Sequence, residues 1–230
     1  LVALGTIADL VPLVGENRVI AHFGLAGMRE PAQAGLAALL AVSGLEGRAI
    51  TTADVSFRVA PRLNAAGRME NARDVIELFT TSDASKARAI AERLENLNCE
   101  RQRVEEEILQ EINGRMERDP EKAGSYTLVF AGDGWHRGVI GIVAQRVADR
   151  YHRPALVIGI EEGVGVGSGR SIKGFHLLEA LSRARDLFDR FGGHAQAAGF
   201  ALPASRIGEL ETRFEHHARA ILLRDDLEPV

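Results

Sequence analysis

Two glycine-rich stretches hold the side chains best suited to bind an anion. Residues 163–174 read GVGVGSGRSIKG and gather Ser168, Arg170, Ser171 and Lys173 around Gly169. Hydroxyls, exposed backbone N–H groups and a guanidinium supply the directional donors and positive charge that a phosphate requires. Residues 191–201, FGGHAQAAGFA, place His194 between Gly192 and Gly193 on one side and Gly199 on the other. Glycine loses much chain entropy on folding, so this usage points to tight turning or to close approach of a ligand to the backbone. The plainer reading makes Gly192 a helix C-cap and His194 a turn residue. Finding both stretches in one small region favours a phosphate site.

Other segments carry candidate groups. In residues 61–70, PRLNAAGRME, Arg62 and Arg68 flank Asn64 and Gly67. The arginines suit fork-shaped phosphate contacts and Asn64 a base edge or a turn; alternatively Gly67 caps a helix and the arginines pair with Glu70 and Glu77. Residues 132–141, GDGWHRGVIG, follow a predicted strand, where open α/β sheets place ligands, so Trp135 can stack on a base and His136 can bond a phosphate. Their alternatives are a core-edge cover and a helix-start residue. Asp9 sits in the apolar run LVALGTIADLVPLV, where a carboxylate must cap, pair or bind a cation, and an N-cap or salt bridge is the reading favoured by the residues alone. The adjacent His216 and His217 point about 100° apart on a helix and are read as surface.

These residues need elements to hold them. Apolar spacing predicts helices over residues 17–28 and 31–42, the second starting at Pro31 and stopping at Gly44, then a short helix near 54–59 capped by Thr51 or Thr52. The front portion is thus helical and without hairpins. Thr81-Ser82-Asp83 signals the start of a helix from Ala84 to about Met116, roughly 45 Å long at about 1.5 Å per residue. Beyond Pro120 the pattern changes. Residues 126–131 and 155–160 read as buried strands separated by a helix over 138–151, a parallel crossover unit. Further strands are expected over 164–168 and 198–202, with helices over 175–190 and 205–223. The fold class is α/β.

The chain has 230 residues, 46% of them apolar, ample for a packed core in one large domain or two small ones. A formal net charge of −4 argues against a generally basic nucleic-acid coat, so a polyanion must be gripped by a local arginine cluster. Cys99 is the only cysteine, which excludes an internal disulfide and a cysteine-based zinc site and fits a reducing cytoplasm. No stretch approaches the length of a membrane span. Beginning at Leu1 inside an apolar run, the sequence reads as a piece of a longer protein.

The ordered set GTIAD at 5–9, PRLNAAGR at 61–68, WHRGVIGIVAQR at 135–146, GSGRSIKGFHLLEAL at 167–181 and GGHAQAAGF at 192–200 resembles the bacterial RecJ-type single-stranded-DNA exonucleases of the DHH phosphoesterase superfamily. GGHAQAAG alone would indicate only a DHHA1 module. The resemblance implies that residues 1–82 are the helical C-terminal part of a DHH catalytic domain, 83–118 a connector helix and 124–224 a compact DHHA1 substrate-binding domain, with the active groove between the two domains. It implies that Asp9 ligates catalytic Mn²⁺ or Mg²⁺, that Arg62, Asn64 and Arg68 line the groove, and that Ser168, Gly169, Arg170, Gly193 and His194 hold substrate phosphates. The aspartate-rich motifs and the Asp-His-His motif of that superfamily are absent from these residues, as is the OB-fold segment. The expectation is therefore a metal-dependent nuclease that digests single-stranded DNA from its 5′ end in repair and recombination, of which this chain supplies grip and one metal ligand with little activity alone. Self-association of the truncated DHH portion is also expected. The competing readings are a phosphodiesterase of short oligonucleotides or cyclic dinucleotides and a non-catalytic single-strand-binding module.

Overall fold

The computed structural model describes residues 1–228 and resolves into two compact units, the first ending at Gln102 and the second beginning at Arg103. The first is helical: α1 (Val2–Ala8), α2 (Gly15–Met28), α3 (Ala34–Val42), a single turn α4 (Thr52–Asp54), α5 (Ala60–Met69), α6 (Arg73–Thr80) and the first half of α7 (Ala84–Arg118). Ala3, Leu4 and Ile7 on α1 and Leu36, Leu39 and Leu40 on α3 are buried at the three-and-four spacing that puts side chains on one helix face. They share a core with Leu45, Val55, Val59, Leu78 and Leu94. Gly35 lets α3 approach α6, because a Cβ there would overlap the Leu78 carbonyl.

Local chemistry sets the helix ends. Thr51 and Asp54 form a reciprocal capping box, with Thr51 N–H donating to Asp54 Oδ2 at 3.0 Å and Asp54 N–H to Thr51 Oγ1 at 3.2 Å. Asp83 Oδ1 accepts the N–H groups of Ser85 (2.8 Å) and Lys86 (3.1 Å), starting α7 where Thr81-Ser82-Asp83 predicted it. α3 starts at Ala34 behind Gln33 rather than at Pro31, which lies in the preceding loop. Between α4 and α5 the chain winds one π-helical turn, Val55–Val59, closed by Ala60 N–H donating to the carbonyl of Val55. The π-turn contains no special residue that spacing rules detect.

The second unit is α/β. After the remainder of α7 and the short α8 (Pro120–Ala123) come β1 (Leu128–Asp133), α9 (Ile140–Tyr151), β2 (Ala155–Glu161), β3 (Val164–Arg170), α10 (Leu177–Ser182), β4 (Arg190–Gly193), β5 (Ala197–Pro203) and α11 (Ile207–Ile221). The strand order is β1-β2-β3-β5-β4; β1 and β2 are parallel and the remaining pairs antiparallel. One sheet face, with Leu156, Ile158, Phe200 and Leu202, packs on Leu177 and Leu181 of α10 and Leu210 and Phe214 of α11. α9 lies against β2 and β3, burying Val143, Ala144 and Val147.

The helix expected over 175–190 stops at Ser182, passes through a 3₁₀ turn (Arg185–Leu187) and gives way to β4. Phe188 packs on the rings of Phe191 and Phe200, each at 5.3 Å, and this long-range aromatic cluster favours a hairpin over helical continuation. Gly192 is consequently a strand residue opposite Gly199 and caps no helix. Among the described residues no helix is long and apolar enough to cross a membrane.

Candidate nucleic-acid interface

Ser168 and Arg170 alternate with buried Gly167 and Gly169 along β3, so they share the face turned away from α10 and α11. Arg170 Nη1 donates to Ser168 Oγ at 3.1 Å and to the Gly169 carbonyl at 2.8 Å. The first turn of α9 abuts both: a Cβ built on Gly141 would lie 3.2 Å from Ser168 Oγ and 3.4 Å from Arg170 Nη2. Glycine there lets the helix backbone come close to the Ser168 hydroxyl, where a methyl would press on it. The N-terminal end of a helix carries partial positive charge, which adds to that of Arg170.

The His194 turn sits beside this pair because β3 and β5 align Arg170 with Ala197. His194 N–H donates to the Ala197 carbonyl at 2.8 Å, and Gly193, at φ +149°, has no room for a Cβ against Ala197. Gln196 N–H donates to His194 Nδ1 at 3.3 Å, which leaves Nε2 to carry the proton of the neutral ring. Two further bonds pin the turn: Ser171 N–H to the Gln196 carbonyl and Leu177 N–H to the Ala195 carbonyl, both 2.9 Å. β-pairing thus unites Ser168, Gly169, Arg170, Gly193 and His194. Gly141 completes the group and was not singled out from the sequence; its signal was a glycine inside the helix-start motif WHRGVIG.

Trp135 is corrected to a structural residue. It is 9% exposed, its indole Nε1 donates to Glu111 at 3.0 Å, and the Arg115 guanidinium lies 5.2 Å from the ring centroid. A Cβ on Gly132 would overlap the ring, so no face is left for a base. His136 takes the helix-start role: its Nδ1 accepts Gly138 N–H at 3.1 Å and its carbonyl accepts Val139 N–H at 2.9 Å. His216 is exposed as expected, but His217 is half-buried and packs on Phe175, and burial lowers its pKa.

In the first unit, Asp9 is the exposed C-cap of α1, not an N-cap. The whole of PRLNAAGR is inside α5, and Glu70 and Glu77 form ion pairs with Arg93 and Lys86 of α7. Arg62 is instead turned inward, ion-paired with Glu95 and donating to the Arg58 carbonyl. Asn64 and Arg68 lie exposed, four residues apart and hence on one face of the helix. Glu95 lies 33 residues beyond Arg62, a distance over which spacing gives no signal.

The DHHA1 domain family matches residues 123–220. These residues form a DHHA1 domain. The match contains the sheet, α9 and the Ser168–Arg170 and His194 segments. Over 232 residues the chain is 41% identical to the single-stranded-DNA-specific exonuclease RecJ of Bacillus subtilis, covering 100% of this chain and 29% of that protein. It is 38% identical over 218 residues to RecJ of Thermus thermophilus, covering 95% of this chain and 31% of the relative. The crystal structure of Thermus thermophilus RecJ with Mg²⁺ superimposes with a TM-score of 0.85 at 36% identity, over 96% of this chain and 34% of that one. A crystal structure of exonuclease RecJ bound to manganese matches with a TM-score of 0.85, over 99% of this chain and 56% of that one. The chain is thus similar to RecJ proteins along its length, and it spans 29% to 42% of the curated relatives it matches.

A two-ion centre takes several carboxylates and imidazoles. Among the described residues, no three His, Cys, Asp or Glu side chains are grouped to hold a metal ion. Asp9 offers one carboxylate, so the residues present do not fit a complete Mn²⁺ or Mg²⁺ centre.

Proposed function

We propose that Ser168, Gly169, Arg170, Gly193 and His194 grip the phosphodiester backbone of single-stranded DNA, as the substrate-holding part of a cytoplasmic, metal-dependent exonuclease that digests from the 5′ end in repair and recombination. In this reading residues 1–82 belong to the catalytic DHH domain, 83–118 connect, and 124–224 bind substrate. The observation that carries it is the Arg170 guanidinium set against Ser168 Oγ and the first turn of α9. Arg170 supplies charge-assisted bonds to a phosphate, Ser168 holds the guanidinium, and His194 adds a donor from the turn. Asn64 and Arg68 supply a second grip from the exposed face of α5, and Arg62 fixes that helix through Glu95.

Asp9 contributes one ligand to the metal site of the longer protein, so the isolated chain binds strand without hydrolysing it. Titrating a fluorescent single-stranded oligonucleotide into the 230-residue chain, with and without Mn²⁺, tests this. Binding without cleavage is the expected result. Metal-dependent cleavage would show that the missing ligands are supplied by these residues, and absence of binding would remove the grip.

The first unit exposes large apolar side chains, among them Leu10, Phe23 and Phe57, the last 77% exposed. Leu10 and Phe57 border one groove together with Val11 and Leu13. Apolar surface of this kind favours association, and we propose that the isolated chain self-associates through it. Sedimentation velocity is expected to show a concentration-dependent dimer that Leu10→Ser with Phe57→Ser returns to monomer; a monomer at all concentrations sinks the idea.

A further inference from the structure

Each described strand glycine can be asked whether the fold itself needs it. At six of the eight a Cβ would crowd a neighbour. A Cβ on Gly132 would overlap the Trp135 ring, on Gly159 the Trp135 carbonyl, on Gly167 the Phe200 ring and on Gly193 the Ala197 carbonyl. On Gly165 it would lie 3.0 Å from Ile158, and on Gly169 2.7 Å from Leu156, in both cases tighter than ordinary packing. Gly192 and Gly199 differ. A Cβ on Gly192 would meet nothing within 4 Å, and on Gly199 only the Gly167 carbonyl at 3.9 Å. Neither has a positive φ. Glycine weakens a strand, so two that the fold does not require call for another cause.

Their placement supplies one. Gly192 and Gly199 are directly opposed across β4 and β5, and Gly199 is directly opposed to Ser168 across β5 and β3. Opposed residues point to the same sheet face, so Ser168, Gly199 and Gly192 form one row on the face that carries α9 over β2 and β3, opposite the one filled by Phe200 and Leu202. Both glycines are exposed. At about 4.8 Å between strands the row runs roughly 10 Å away from the Arg170 pair. Beyond Ser168 the row carries no side chain and no charge, only peptide planes.

We infer that Gly192 and Gly199 form a floor on which the sugar and base of a nucleotide lie flush while Arg170 holds its phosphate. The inference rests on the phosphate grip proposed above. A charged phosphate needs donors, which the Ser168 end of the row provides; the glycine end suits a flat, largely uncharged group. A floor without side chains reads no base edge, so it accepts every base alike.

The test uses the full 230-residue chain and a 5′-phosphorylated single-stranded oligothymidylate titrated at several salt concentrations. Gly199→Ala and Gly192→Ala are expected to melt like the parent chain yet bind roughly tenfold or more weakly, because the new methyl occupies the space of the nucleoside. Their salt dependence stays unchanged, since no charge is removed, whereas Arg170→Ala lowers the slope of log K against log salt by about 1. If both alanine variants bind like the parent while Arg170→Ala is weakened, the floor is wrong and the phosphate grip stands. If Arg170→Ala also binds like the parent, both fall. Variants that unfold would show that the fold needs these glycines, which equally overturns the inference.

Discussion

Arg170→Ala is expected to weaken binding of single-stranded DNA by about 1–3 kcal/mol, the range for a charge-assisted hydrogen bond to phosphate. The guanidinium is half-buried on β3, with Nη1 committed to Ser168 Oγ and the Gly169 carbonyl. Side-chain entropy is therefore spent before the strand arrives, and the contact is worth more than one made by a swinging surface arginine. Arg170→Lys keeps the charge and loses the planar fork, so it is expected to retain the salt slope while recovering only part of the affinity. Fluorescence anisotropy across a salt series measures both quantities. An alanine variant with unchanged affinity would remove Arg170 from the interface.

Trp135→Ala is expected to destabilise the second unit by about 3–5 kcal/mol, as for other buried large-to-small changes. The substitution opens a cavity over Gly132 and deprives Glu111 and Arg115 of their indole partner. Trp135→Phe keeps most of the volume and loses the bond to Glu111, a smaller cost of about 1 kcal/mol. Urea denaturation at constant slope separates the two. A Trp135→Ala chain that is as stable as the parent but binds DNA less well would restore the base-stacking role that the buried ring contradicts.

How legible these features were in the sequence depended on range. α7 was legible because Thr81-Ser82-Asp83 announces it and its interior lacks glycine and proline until Gly114. The β1-α9-β2 crossover was legible because buried parallel strands are continuous apolar runs. β4 was not: RFGG has one strand-favouring residue, and what holds it is Phe188 meeting Phe200 from elsewhere in the chain. The candidate site was legible in its parts, since Ser168, Arg170 and His194 each stand in a glycine-rich stretch. Their meeting was not, because it depends on the register that places Arg170 opposite Ala197. Trp135 and Arg62 were misread for the same reason. Their partners, Glu111 and Glu95, lie 24 and 33 residues away, and nothing local records the pairing.

The π-turn at Val55–Val59 acts on α5 as a phase setting. Each residue advances an α-helix by about 100°, so the one extra residue held in the wider turn decides which way every later side chain faces. With it, Arg62 meets Glu95 while Asn64, Gly67 and Arg68 face outward. Removing a single residue from the turn would restore regular winding and rotate the helix by about 100°, carrying Arg62 away from Glu95 and turning the outward row aside. In this segment the number of residues before Pro61 matters as much as their identity, and a sequence comparison that tolerates a one-residue gap there would align identical letters on different faces.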